Sequence, residues 1–129
     1  MVKKILIAED EENIVTLVLA IFSDPERYNV LSARDGEEAL KTARQDKPDI
    51  ILLDIGLPKM NGFEVCKAVK SNAATAHIKV MMLSGMVQQS DLRMASEMGA
   101  DTYITKPFQL TDLVNKVEEL LTGNQAEPV

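Results

Sequence analysis

The sequence predicts an α/β fold built on a five-stranded parallel sheet with helices on both faces, and three observations predict it. Five short runs rich in Ile, Val and Leu are separated by segments with helical spacing, so strand and helix alternate along the chain. The runs end near residues 8, 33, 54, 84 and 105, at intervals of 25, 21, 30 and 21 residues, each the length of a strand plus a crossover helix. The first, third and fourth runs are nearly continuous in apolar residues, as expected of strands covered on both faces.

In chain order, strands are expected at Lys3–Ala8, Tyr28–Ala33, Asp49–Leu53, Lys79–Leu83 and Thr102–Thr105. Ile14, Leu17, Val18 and Ile21 mark a first helix, Ala39, Leu40 and Ala43 a second, and Phe63, Cys66, Ala68 and Val69 a third. A fourth, with a thinner apolar pattern, falls at about Ser90–Met98. The fifth is the best amphipathic stretch: Leu110, Leu113, Val114, Val117, Leu120 and Leu121 follow the i, i+3, i+4, i+7 rule, with Gly123 as a stop. Residues 1–122 therefore make one domain, and 123–129 a polar tail or the start of a linker.

Composition bounds the function. Of the 129 residues, 46% are hydrophobic and 26% charged, ordinary for a globular domain with one core. Twenty acids against 14 bases leave a net charge of −6, which disfavours direct nucleic-acid binding and suits a cation or a basic protein surface. The single cysteine, Cys66, excludes an internal disulfide and a multi-cysteine metal site and agrees with a reducing compartment. The run Ile5–Ala8 stops after four residues at four consecutive acids, short of the roughly 7–15 of a signal core. No apolar stretch approaches the roughly 18 of a membrane span, so the expected location is the cytoplasm.

In a parallel sheet, residues at the carboxyl ends of different strands gather along one edge, where ligands of open α/β sheets bind. Here that edge collects Glu9 and Asp10, Asp54, Ser84 and Lys106. Each has a plain alternative. Acids at 9–12 also suit a helix dipole, Asp54 also suits a turn opening Gly56-Leu57-Pro58-Lys59, Ser84 before Gly85 is ordinary loop chemistry, and Lys106 is also readable as a solvated lysine. Their joint placement favours a site. Clustered carboxylates need a cation between them, and an oxygen-only ligand set suits magnesium. A lysine and a hydroxyl beside it can hold phosphoryl oxygens.

Other schemes fail on inventory. His77, the only histidine, precedes the fourth strand at the opposite edge, roughly 17 Å away along that strand, so no Ser-His-Asp triad is available. The six glycines form neither GxGxxG nor GxxxxGK. Cys66, beside Phe63 and Val69 on its helix, reads as a buried small hydrophobe.

Four segments, Ile5-Leu6-Ile7-Ala8-Glu9-Asp10-Glu11, Leu52-Leu53-Asp54-Ile55-Gly56-Leu57-Pro58-Lys59-Met60-Asn61-Gly62, Met82-Leu83-Ser84-Gly85 and Ala100-Asp101-Thr102-Tyr103-Ile104-Thr105-Lys106-Pro107-Phe108, resemble in order and spacing the motifs of bacterial two-component response-regulator receiver domains, the single-domain chemotaxis receivers among them. The resemblance runs from about Lys3 to Leu121. It implies a flavodoxin-like, doubly wound sheet of order 2-1-3-4-5 with five helices. It implies Asp54 as phospho-acceptor from a sensor histidine kinase or histidine phosphotransfer protein, with Mg2+ held by Asp10, Asp54 and the backbone carbonyl of Gly56 and by Glu9 through water. Lys106 would pair with the phosphoryl group, before a cis bond to Pro107. Ser84 would donate to a phosphoryl oxygen, and Tyr103 would turn inward to reshape the face made by the fourth helix, fifth strand and fifth helix. A downstream effector or an output domain beyond Val129 would read that face.

This sequence departs from the family pattern in three places. The acid pair is Glu-Asp rather than Asp-Asp, Gly56 stands where a larger side chain is usual, and Ser84 replaces Thr. Other readings are a receiver-like scaffold that is not phosphorylated, and a magnesium-dependent phosphohydrolase. The intact Asp54, Asp10, Lys106 and Ser84 set argues against the first. Gly56, where such hydrolases carry a second acid, argues against the second. Tyr103 is also readable as an edge-strand aromatic. Met81, Met82, Met86, Met94 and Met98 suit core filling, or a partner surface that repacks.

Overall fold

The computed structural model describes residues 2–85 and 89–123. Ten elements alternate in chain order: β1 (Lys3–Ala8), α1 (Glu12–Ile21), β2 (Tyr28–Ala33), α2 (Gly36–Asp46), β3 (Ile50–Asp54), α3 (Gly62–Ser71), β4 (Lys79–Ser84), α4 (Gln89–Glu97), β5 (Thr102–Thr105) and α5 (Leu110–Thr122). All strand pairs are parallel, in the order β2-β1-β3-β4-β5, which is the order implied by the resemblance.

Side chains alternate across each strand, so two cores form. Ile5, Ile7, Ile50, Leu52, Met81 and Leu83 face α1 and α5. Leu6, Ala8, Ile51, Leu53, Val80 and Met82 face α2, α3 and α4. The near-continuous apolar runs are thus explained by helices on both faces.

Three elements differ from expectation at their boundaries. β3 starts and ends one residue later, and β4 runs one residue further, because the ladder continues through Asp54 opposite Leu83 and Ser84 opposite Thr105. Asp54 and Ser84 therefore sit on rigid strand, not in the loops beyond. α4 begins and ends one residue earlier than the spacing suggests. In α1 the buried line is Val15, Val18 and Phe22, with Ile14 and Ile21 packed at its margin. The seven apolar residues of α1 offer two candidate stripes, and tertiary packing selects one.

Local chemistry sets the helix ends near the site. Asp35 accepts from the Glu38 amide at 2.8 Å to start α2. Asn61 and Glu64 form a reciprocal capping box at the start of α3, which fixes where the loop after Asp54 rejoins a helix. α5 closes on Gly123 at φ 81. Met86 and residues 124–129, which carry part of the methionine and tail expectations, lie outside the described residues.

Candidate functional site

The carboxyl ends of β1, β3, β4 and β5 open on one cleft of about 600 Å3, lined by Asp10, Glu11, Asp54, Ile55, Gly56, Ser84, Gly85, Asp91 and Lys106. Asp54 and Ser84 end their strands and are almost wholly buried, while Asp10 is exposed at the mouth. The backbone amide of Lys106 donates to the Ser84 carbonyl at 2.7 Å, so the residue after β5 is tied to the end of β4. The peptide bond from Lys106 to Pro107 is cis.

Lys106 is the electrostatic centre. Its ammonium lies 2.5 Å from Glu9 Oε1, 3.3 Å from Glu11 Oε1 and 3.4 Å from Asp54 Oδ1. Glu9 is completely buried beneath the cleft, and its other oxygen accepts from the Glu11 amide at 3.1 Å. Asp54 also accepts from the Gly56 amide. Three carboxylates, Glu9, Glu11 and Asp54, thus share one ammonium, with Asp10 a fourth acid at the mouth of the cleft. Burial pushes the Glu9 and Asp54 carboxyls above their ordinary values, and the Lys106 ammonium only partly offsets this. Burial by itself would lower Lys106, but Glu9, Asp54 and Glu11 outweigh it and the ammonium is held more firmly charged.

The donor set suits a hard divalent cation. Glu9, Asp10 and Asp54 each bring one carboxylate oxygen within 4.8 Å of the others. An octahedral ion with bonds of about 2.1 Å spans its trans ligands at about 4.2 Å, so the three oxygens stand near the spacing that such an ion needs. All available donors are oxygen, which favours magnesium over softer metals.

The loop from Asp54 to α3 is shaped by two close approaches. A Cβ on Gly62 would lie 2.5 Å from the Asp54 carbonyl oxygen and 2.8 Å from the Ile55 Cα. A Cβ on Gly36 would lie 1.8 Å from the Met60 carbonyl oxygen. Only glycine lets α2 and α3 approach this loop, and Gly62 donates to Ile55 O at 2.9 Å in doing so. At Gly56, by contrast, a Cβ would meet only Asp54 Oδ2, at 3.8 Å, so the Asp54 carboxylate is open on that side.

Five anticipated residues, Glu9, Asp10, Asp54, Ser84 and Lys106, meet at this edge, and Gly56 lines it. His77 lies at the opposite edge with Lys3, Asp49 and Lys79. Tyr103 is half-buried against the α2–α3–α4 core, and its hydroxyl has no hydrogen-bond partner among the described residues. Two contributors were not anticipated. Glu11 was visible in the acidic run, but its reach to Lys106 depends on how the chain turns into α1. Asp91 enters from the first turn of α4, and nothing in its sequence surroundings marks it.

Comparisons with known proteins bear on this geometry. A family model described as the response regulator receiver domain matches residues 5–118. The alkaline phosphatase synthesis transcriptional regulatory protein PhoP of Bacillus subtilis is 43% identical over 125 residues, covering 97% of this chain and 51% of that protein. The DNA-binding response regulator MtrA of Mycolicibacterium smegmatis is 33% identical over 128 residues, covering 99% and 54%. The chain spans about half the length of these curated relatives. Among solved structures, chemotaxis protein CheY4 of Vibrio cholerae superposes with a TM-score of 0.86 at 29% identity, covering 94% of this chain and 100% of that one. The signal receiver domain of a histidine kinase from Syntrophus aciditrophicus gives 0.85 at 30% identity, covering 98% and 96%.

Proposed function

The chain belongs to the response regulator receiver domains of two-component signalling, and from that premise we propose that Asp54 is its phospho-acceptor, with Lys106 and Ser84 as the groups that hold the transferred phosphoryl oxygens. One observation carries the assignment: Asp54 ends β3 inside an acidic cleft where the only ammonium among the described residues, that of Lys106, already touches it at 3.4 Å.

The step is a nucleophilic substitution at phosphorus. An Asp54 carboxylate oxygen forms a P–O bond, and the P–N bond to the histidine of a kinase or phosphotransfer protein breaks. The electron pair leaves on the imidazole, which takes up a proton. Receiver domains bind Mg2+ at an acidic pocket. Here Asp10 and Asp54, with the Gly56 carbonyl and with Glu9 from below, would hold it. Bound there, magnesium supplies positive charge against the carboxylates and the phosphoryl oxygens. Lys106 keeps Glu9 and Asp54 in position through its three carboxylate contacts, and its firmly charged state leaves it ready to take a phosphoryl oxygen.

Phosphorylation would replace the single charge of the Asp54 carboxylate by the roughly −2 of an acyl phosphate and would add phosphoryl acceptor oxygens. Ser84, at the end of β4, faces that charge, and the Lys106 amide ties β5 to the same point. Tyr103 lies on β5 three residues before Lys106. Its buried hydroxyl has no partner among the described residues, and an unsatisfied buried hydroxyl costs about 1–3 kcal/mol, a penalty small enough for new contacts to move the balance between two rotamers. The face of α4, β5 and α5 would change with it and be read by an effector protein or an output domain. No helix among the described residues is long and apolar enough to cross a membrane.

The test is incubation with Mg2+ and a small phosphodonor, with intact mass measured for wild type and Asp54→Asn. A one-to-one phosphoryl adduct absent from the variant is expected. No adduct from any donor or kinase would favour an unphosphorylated scaffold. Continuous release of phosphate would favour a hydrolase.

A further inference from the structure

The two halves of the candidate cation site come from different parts of the chain. Glu9 and Asp10 follow β1, whereas Asp54 and Gly56 belong to β3 and the loop after it. That loop is fixed where it leaves and where it rejoins regular structure: the Ile55 amide donates to the Leu83 carbonyl at 3.1 Å and the Gly62 amide to the Ile55 carbonyl at 2.9 Å. The middle of the loop carries strain instead. Pro58 and Lys59 are exposed, the Met60 amide bends back onto the Pro58 carbonyl at 2.7 Å, and Lys59 sits at φ 69. A side chain with a Cβ adopts that left-handed conformation at a cost, and it persists where the surroundings hold it.

The segment between β2 and α2 supplies the hold. The Gly36 amide donates to the Pro58 carbonyl at 3.1 Å, and a Cβ on Gly36 would lie 1.8 Å from the Met60 carbonyl oxygen, so backbone rests on backbone here. Asp35 divides its carboxylate between two elements. One oxygen accepts from the Glu38 amide at 2.8 Å and caps α2, while the other faces the Lys59 ammonium at 3.6 Å. Capping requires only an oxygen, which Asn or Ser offers as well; the ion pair with Lys59 requires the charge. The same segment is tied to the other half of the site, because the Glu9 amide donates to the Ala33 carbonyl at 3.0 Å and Ala33 lies opposite Ala8 in the ladder. Residues 33–36 therefore touch the end of β1 at one end and the loop after β3 at the other.

We propose that residues 33–36 are a bridge that sets the spacing between the two halves of the cation site, with Asp35 as its positioning residue, acting through Lys59 and touching neither cation nor phosphoryl group. The pair holds the strained middle of the loop against the start of α2, and Gly56, three residues before Lys59, keeps its place at the cleft. The use of that place by magnesium rests on the reading of the Gly56 carbonyl given above, whereas the bridge itself belongs to the fold. Lys59 is 61% exposed, so the pair is a modest one, and its loss should change what it controls by about twofold to fivefold rather than abolish it.

Three variants separate the two roles of Asp35. Asp35→Asn keeps a capping oxygen and loses the charge, Lys59→Gln leaves Asp35 whole and removes its partner, and Lys59→Arg keeps the pair. The Gly56 amide donates to the Asp54 carboxylate, so its solvent-exchange rate, read by NMR without metal or phosphodonor, reports the loop at the cleft. That rate should rise about twofold to fivefold in Asp35→Asn and in Lys59→Gln, and return toward wild type in Lys59→Arg. The Glu38 amide, which reports the cap, and the Leu113 amide of α5, bonded to the Gln109 carbonyl at 3.1 Å, should hold. An unchanged Gly56, no return in Lys59→Arg, or an equal rise at Leu113 as from a general loss of stability overturns the bridge. If Asp35→Asn does not fold, Lys59→Gln, at an exposed position, carries the same comparison.

A second arm titrates Mg2+ by calorimetry. Through charge alone the two substitutions act in opposite directions, since loss of an acid weakens cation binding and loss of a base strengthens it. The bridge requires both to weaken it, each by about twofold to fivefold, with the double variant no worse than either single one. Opposite signs, or fully additive losses, overturn the proposal. Wild-type protein that binds no Mg2+ counts against the magnesium reading alone, because the exchange arm still decides whether Asp35 and Lys59 position the loop.

Discussion

Replacing Gly62 by alanine should do more damage than its exposure or chemistry suggests, because the added methyl is aimed at the backbone that carries Asp54. Its Cβ would lie 2.5 Å from the Asp54 carbonyl oxygen and 2.8 Å from the Ile55 Cα. Ordinary contact begins near 3.4 Å, so about 0.9 Å must be found, and both obstacles are main-chain atoms that cannot rotate away. Moving α3 outward would stretch the Gly62 amide bond to Ile55 O, now 2.9 Å. Overpacking costs about 1–3 kcal/mol and a weakened buried hydrogen bond about 1 more, so Gly62→Ala should lose roughly 2–4 kcal/mol in urea denaturation. A shift of this size at the acceptor should also slow phosphorylation by up to about a hundredfold. Gly85→Ala is the control, since its Cβ meets nothing within 4 Å. The reasoning is refuted if Gly62→Ala stays within about 0.5 kcal/mol of wild type, or if Gly85→Ala loses as much.

Gly56→Met should fold normally, since a Cβ there meets only Asp54 Oδ2 at 3.8 Å, and should slow loss of the phosphoryl group by covering the acceptor. A decay time course of the adduct that is equal or faster in the variant contradicts this. Magnesium at a hundred times its Kd should stabilise the protein by about 2.7 kcal/mol, and Asp10→Asn should remove most of the gain. An undiminished gain in that variant would place the ion elsewhere. Tyr28 donates to Glu118 and is buried, and its phenol is pushed up from 10.0 to about 12, chiefly by burial. Because the folded pKa is raised, this stabilisation is complete below pH 10 and is lost as pH rises towards 12, by at most about 2.7 kcal/mol. Denaturation across that window should be steeper in wild type than in Tyr28→Phe, and identical slopes would count against it.

Much of the site was legible because parallel strands convert positions far apart in sequence into neighbours. Asp10, Asp54, Ser84 and Lys106 each follow or end an apolar run, and locating the runs located the residues. What periodicity cannot show is where a side chain turns after a strand ends. Glu9 looked like a cleft acid, yet it is buried, with one oxygen on Lys106 and the other on the Glu11 amide. Glu11 reaches Lys106 only because α1 starts immediately after it. Asp91 was hidden because α4 buries a single residue, Ala95, so its pattern says little about which side faces the cleft. The strand limits of β3 and β4 depended on ladder partners, Leu83 and Thr105, that only the assembled sheet supplies.

The resting site is set up to respond because its charges are unbalanced. Burial leaves Glu9 and Asp54 with raised pKa values that one ammonium only partly offsets, so a divalent cation would be favoured here, and a phosphoryl group, under the reading proposed above, would need every remaining donor. Those donors are not independent. The Lys106 amide is bonded to Ser84 O, so a pull on Ser84 or on Lys106 is felt by the ends of β4 and β5 together. Tyr103 on β5 carries a buried hydroxyl with no partner among the described residues, and the turn after α4 is gripped by Lys70 through Asp101. Under the phosphorylation reading proposed above, a charge added at the strand ends would act on β4 and β5 together, and Tyr103 is the side chain on β5 placed to answer it by a change of rotamer. A local charge change then becomes a change in surface shape without unfolding the sheet that bears it.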